Sequence, residues 1–275
     1  MTSRWSSSLY ERDQPSIAHP VQAGGDEVPR WIHWLVGLTK HLWSPFVLYR
    51  KAPMSIGDHL VPLGADDVQR LSDALRERLA TNDHALATLG FSPPVRGANH
   101  AIANIKSCFS LVEHPKDGAL AFVLVTQGAH VGTSAVVTFR SDFADGWQLY
   151  TSNGSIIPRM PTRPAIDGVR FSGMQDLREL YELHRFRVSE RSRRVPTVSL
   201  TRGNDPLAFQ VQESREVYDF WVQSGYYALV DGPAIRFTAK GAILAAWRGL
   251  FPWKQITTWR NAGKASAILR RAGRG

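Results

Sequence analysis

The chain has 275 residues, 43% hydrophobic and 21% charged, with a formal net charge of +9. These proportions exclude a wholly disordered chain, a collagen and a coiled coil, and the length suffices for one large domain or two small ones. The single cysteine, Cys108, excludes an internal disulfide framework and any multi-cysteine zinc or iron–sulfur site.

Residues 1–30 are polar and turn-rich and carry no apolar run after Arg4. They read as a disordered tail without a secretory signal. Gly24-Gly25-Asp26-Glu27 echoes a cyclase signature that belongs on a hairpin deep inside a larger domain, so the match is rejected. In the next block, Trp31, Trp34, Leu35, Leu38 and Leu42 follow helical spacing, and Ser44–Pro45 is expected to end that helix before Phe46-Val47-Leu48-Tyr49. Residues 66–82 read as a helix with acids at its start and Val68, Leu71, Leu75 and Leu79 as its buried stripe.

From Val95 the pattern changes to strands. Runs at 101–112, 120–126, 134–143 and 147–151 are separated by turn signals at Asp117–Gly118, Gly128 and Asp145–Gly146. They predict an antiparallel sheet of about four strands. Residues 118–139 hold no Asp, Glu, Lys or Arg, but Thr126-Gln127-Gly128 interrupts them as a turn would. Two strands explain this stretch better than a membrane span. After a proline-bearing loop, helices are expected over 176–188 and 205–223, then a hairpin over 226–237. Thr238 is positioned to cap a helix to about 250, and Pro252 to start a last helix to about 271. Helices, then consecutive strands, then helices indicate an α+β fold with helices packed on the sheet. The expected organisation is a tail (1–30), an α+β body (31–231) and a C-terminal arm (232–275).

The charge is concentrated in that arm. After Asp231 there is no acidic residue, while Arg236, Lys240, Arg248, Lys254, Arg260, Lys264, Arg270, Arg271 and Arg274 are all basic. The rest of the chain is therefore neutral. A cationic segment attracts polyanions: anionic lipid, nucleic acid or an acidic partner surface. The 26 arginines against 7 lysines read as GC-rich, bacterial coding.

Two stretches resemble a loosely defined group of uncharacterised bacterial proteins. The first is Phe143-Ala144-Asp145-Gly146-Trp147-Gln148-Leu149-Tyr150-Thr151-Ser152-Asn153, followed by Leu183-His184 on a helix. The second is Phe237-Thr238-Ala239-Lys240-Gly241, then Trp247 and Phe251-Pro252-Trp253-Lys254 in a tryptophan-rich basic helix. The resemblance spans roughly residues 60–260 and implies no particular activity.

No glycine-rich phosphate loop and no Gly-x-Ser-x-Gly elbow is present. No cofactor and no metal are expected; His100, His114 and His130 have no partner residues to complete a metal site. Cys108 lies in an apolar run and reads as a small buried hydrophobe. Asp145, Thr151, Asn153 and His184 are the candidate catalytic residues, with His184 as a general base over the strand that Asp145 and Asn153 flank. The same residue types also build turns and strands.

The arm carries the leading functional expectation. Trp247, Phe251, Trp253 and Trp259 alternate with Arg248, Lys254, Arg260, Lys264, Arg270 and Arg271, the composition of an interfacial amphipathic helix. The expected protein is cytoplasmic, peripheral on the inner membrane, and its partner an anionic membrane surface or a membrane-bound protein. An enzyme with a pocket near Asp145, Asn153 and His184 is the alternative, and non-specific nucleic-acid binding a third.

Overall fold

A computed structural model describes residues 43–50, 54–55, 60–99, 105–128, 132–154, 160–199, 205–230, 234–250 and 252–274, together with Thr39. Thr39 aside, these residues belong to one unit, His41–Gly275. The tail, the Gly24–Glu27 echo, His100, His130 and most of the Trp31–Leu42 block lie outside the described residues.

The fold is α+β. The four expected strands are β4 (Ile105–Glu113), β5 (Leu120–Gly128), β6 (Gly132–Phe143) and β7 (Gln148–Ser152), paired antiparallel in chain order. The sheet is twice as large as expected and partly parallel. β2 (Leu60–Pro62) and β3 (Val95–Asn99) extend it on one side. β8 (Ile166–Arg170) joins the other side parallel to β7, and β9 (Thr197–Val198) pairs with the end of β6. These strands escape sequence reading because their own signal is weak. β3 reads Val-Arg-Gly-Ala-Asn, and its strand state comes from pairing with β4, where a Cβ at Gly97 would collide with the Phe109 ring.

The single helix expected over 66–82 is two helices, α1 (Ala65–Gln69) and α2 (Asp73–Thr88). The break falls at Ser72, whose extended backbone lets its Oγ donate to Gln127 Oε1 on β5 at 2.7 Å. α2 runs six residues beyond Asn82 and ends where Gly90 adopts φ 91°, with Phe91 N donating to Leu86 O. Helix α3 (Leu177–Ser192) is capped by Asp176, which accepts from the amides of Arg178 and Glu179. Helix α4 (Pro206–Gln223) is capped by Asp205.

The strand period of two divides the core between the sheet's faces. On one face Cys108, Val123, Val125, Val137 and Phe139 pack under α2 and α3 with Leu75, Leu79, Leu86, Leu180 and Leu183. On the other, Phe109, Leu111 and Leu120 meet Leu207 and Phe209 of α4.

The rest forms a smaller lobe. β10 (Tyr227–Leu229) and β11 (Ala234–Phe237) make the expected hairpin, which β1 (Met54–Ser55) completes as a three-stranded sheet. Thr238 Oγ1 accepts from Gly241 N at 3.0 Å and so caps α5 (Ala239–Arg248). A Cβ at Gly241 would strike the Tyr226 carbonyl, so α5 lies hard against the hairpin. Met160, Tyr227, Ile235 and Ala245 form the lobe's core, with Leu48, Tyr218 and Trp221 packed on it. Residues 43–49 are helical through Ser44–Pro45, where a break was expected; proline's fixed φ near −65° is itself a helical value.

Helix α6 (Trp253–Arg271) returns to the body. Asn261 accepts from Arg170 N at 3.0 Å and donates to Arg170 O at 2.8 Å, satisfying the edge of β8. Ile268 is buried in the main core. Residues 232–275 thus contribute core to both the lobe and the body.

Candidate functional site

The body concentrates its buried polar groups in two places, one on each face of the sheet. On the α3 face, His184 is fully buried, with Nε2 3.0 Å from Ser141 Oγ and Nδ1 3.0 Å from Thr151 Oγ1. One turn on, the buried Arg187 donates to Thr151 Oγ1 at 2.8 Å, to Tyr150 O at 2.5 Å and to Asp167 Oδ2 at 3.0 Å. Each ring nitrogen of His184 thus has a hydroxyl partner, and the Thr151 hydroxyl is shared with Arg187. Burial, reinforced by the Arg187 charge, pushes the His184 pKa down to about 3. The imidazole is neutral, fully partnered and out of reach of solvent. Its chemistry is the cross-linking of α3 to β6 and β7.

The four candidate catalytic residues therefore separate. Thr151 and His184 touch. Asp145 and Asn153 stand beyond opposite ends of β7. Asp145 accepts from Trp147 N at 3.2 Å and pairs with Arg191 at 2.6 Å, while the Arg191 guanidinium lies over the Trp147 ring at 4.6 Å. Asn153 Oδ1 accepts from Val137 N at 2.8 Å, extending the β6–β7 ladder by a side chain. Of the four, Asn153 alone lines a cleft, a space of about 380 Å³ between α2 and the start of α3 that Arg78, Asn82, Gln175 and Arg178 also border.

On the α4 face, Arg140 forms a bidentate pair with Asp142 (2.8 and 2.6 Å) and donates to Glu213 at 3.1 Å. Arg163 bridges Glu213 and Glu216, the latter at 3.0 Å. Phe209 and Tyr150 stack on the Arg140 guanidinium at 4.9 and 5.4 Å. Sequence reading missed this cluster and Arg187. The available signals were Arg140 and Asp142 at strand spacing inside an apolar run, and an arginine on the apolar stripe of α3.

Cys108 is fully buried and its thiol is pushed up to about 11, first by burial and then by Asp83. That environment disfavours a thiolate. His114 accepts from Asp117 N through Nδ1 at 3.1 Å and packs against Phe91 and Tyr181. Among the described residues, no three His, Cys, Asp or Glu converge as metal ligands.

The arm presents a different surface. Trp247, Trp253 and Trp259 are 49, 49 and 70% exposed. The helix pair divides its cations by position. Towards the C-terminus, Lys264 pairs with Asp167 (3.7 Å), Arg271 with Glu190 (3.1 Å) and Arg274 with Glu179 (3.6 Å). Arg248, Lys254, Arg260 and Arg270 make no ion pair with a described residue. Phe251 lies outside the described residues.

No protein-family model matches the chain, and comparison with curated proteins and with solved structures finds no match.

Proposed function

We propose that this chain docks peripherally on an anionic membrane surface through α5 and the first half of α6. The observation that carries the reading is the outward position of Trp247, Trp253 and Trp259 beside Arg248, Lys254 and Arg260, in a segment without acids. Indole rings favour the headgroup level, where an apolar body and a polar N–H are both satisfied. Lys and Arg near an anionic leaflet contribute about 1 kcal/mol each, so Arg248, Lys254 and Arg260 supply about 3 kcal/mol. This sum fits reversible, salt-sensitive attachment. No helix among the described residues is long and apolar enough to cross a membrane; the proposed contact is at the surface. The bacterial inner membrane, from its cytoplasmic side, is the proposed location.

Nucleic acid is the competing polyanion, and it would need a cluster of Arg185, Arg187, Arg191, Arg193 and Arg194 to join the arm in one phosphate-tracking surface. Much of that cluster is already engaged: Arg185 with Asp117 at 3.3 Å, Arg187 inside the body, and Arg191 with Asp145. This favours lipid.

The test is co-sedimentation of the full chain with phosphatidylcholine vesicles and with vesicles containing phosphatidylglycerol, across a salt series. A truncation at Asp231 is unsuitable because it removes the buried Ile235, Ala245 and Ile268. Point variants W247A, W253A and W259A serve instead. Pelleting with anionic vesicles only, weakened by salt and by the variants, supports the reading. Failure of the intact chain to pellet, or capture by DNA that the tryptophan variants leave unchanged, overturns it.

A further inference from the structure

Large exposed apolar side chains are unevenly distributed over the molecule. Among the described residues there are eleven, and nine belong to the small lobe and the start of α6. Five of these are Leu229, Ile243, Trp247, Trp253 and Trp259. The other four are Trp43 (62%), Phe46 (44%), Val47 (51%) and Tyr49 (46%), about two hundred residues earlier in the chain. Clusters of this kind mark interaction sites more often than solvent-facing surface.

The early segment is fixed to the same lobe. Leu48 packs on the core that holds Ala245 of α5, and Met54–Ser55 pairs with Ile235 and Ala234 on β11. Within the segment, Trp43 and Phe46 lie with ring centroids 5.1 Å apart, and the Arg50 guanidinium sits 5.0 Å from the Phe46 ring centre. Its charge has the same sign as the arm's. Residues 28–57 contain no Asp or Glu and carry Arg30, Lys40, Arg50 and Lys51. The lobe is therefore flanked by two acid-free, aromatic, cationic segments.

We infer that residues 43–50 are a second insertion element that enters the same anionic bilayer as α5 and α6, so that the lobe docks on two prongs. The inference rests on the membrane reading above and adds what that reading leaves open, which is how the body is oriented. A single helix pair leaves rotation about its own axis free. Two anchors on one small core define a plane and hold the sheet body at a set attitude to the membrane. The occupant is lipid because both prongs combine indole or phenyl rings with cations and lack acids, a pattern that complements an anionic headgroup layer over acyl chains.

The natural chain provides a clean labelling background, since its one cysteine, Cys108, is fully buried. Single cysteines at V47C on the early segment, I243C on α5 and T81C on α2 of the body would each carry an environment-sensitive fluorophore. All three host positions are exposed. On phosphatidylglycerol-containing vesicles the labels at 47 and 243 are expected to blue-shift and to be quenched several-fold by lipid-embedded quenchers, while the label at 81 stays aqueous. The double variant W43S/F46S is expected to weaken vesicle partitioning about tenfold or more, two partly inserted rings being worth at least that factor.

If the chain pellets and position 243 enters the bilayer while position 47 stays aqueous, the second prong is overturned and the membrane reading stands. Entry at 47 without entry at 243 overturns the shared face. A blue shift at 47 that tracks protein concentration without lipid assigns the segment to a second copy and overturns its lipid role. If the intact chain ignores anionic vesicles, the membrane reading falls and the inference with it.

Discussion

The sheet body turns charge inward and pairs it, whereas the small lobe turns aromatic surface outward and leaves cations without acids. In the body, Arg140, Asp142, Glu213 and Arg163 are closed into one network, and His184, Thr151 and Arg187 into another. Within these two networks each charged or ring group has a partner at hydrogen-bond distance, which is what burial demands. In the lobe, Tyr227 and Ile235 are buried while Trp247 and Trp253 of the adjoining helices stay half exposed. Helix α6 holds both regimes in one element, with ion pairs and Ile268 towards its C-terminus and exposed tryptophans near its start. The lesson is that composition alone assigns neither role. Arginine is a core cross-link at 187 and a candidate lipid contact at 260.

Four measurements press on this contrast. The largest effect is expected from Arg140→Ala, which removes the cation that Asp142 pairs with and leaves the buried Glu213 with Arg163 alone. Urea denaturation should show a loss of about 3–5 kcal/mol, and a loss below 1 kcal/mol would mean the network is solvated. Next is the acid response of His184. Its folded pKa of about 3 lies below the ordinary 6.5, so the native state resists a proton that the unfolded chain accepts. Stability is therefore full above about pH 6.5 and is lost as pH falls towards the folded value, by up to about 1.4 kcal/mol per pH unit. His184→Gln should remove that component of the slope, and an unchanged slope would contradict the buried neutral imidazole.

Third, Thr238→Ala removes the cap of α5, whose hydroxyl also donates to Gly225 O at 2.7 Å. The expected cost is about 1–2 kcal/mol by thermal or urea unfolding. Smallest is Trp259→Ala, expected to change stability by no more than about 0.5 kcal/mol while reducing vesicle binding. If it destabilises the fold as much as Arg140→Ala does, the contrast between an inward body and an outward lobe is broken.

Several elements announce themselves locally. Thr238, Asp176 and Asp205 start their helices where capping chemistry places them, and Pro252 directly precedes the last helix. The turns at Gly118 and Gly146 adopt φ of 64° and 80°, as Asp–Gly signals lead one to expect. The candidate site was less accessible. His184 and Thr151 were singled out as residues, but their setting depends on Ser141, 43 positions before His184 on β6, and on Arg187, which α3 turns inward one turn after His184.

The α+β class, the four central strands, the Thr238 cap and the acid-free cationic C-terminus were legible in the residues alone. These depend on period, turn chemistry and charge, which are properties of neighbouring residues. That β3 and β8 complete the sheet, that Arg187 and Arg140 face inward, and that the arm is half core and half exposed became visible only in three dimensions. Strand edges, buried ion pairs and exposure are relations between segments distant in the chain, and their energies exist only once those segments meet.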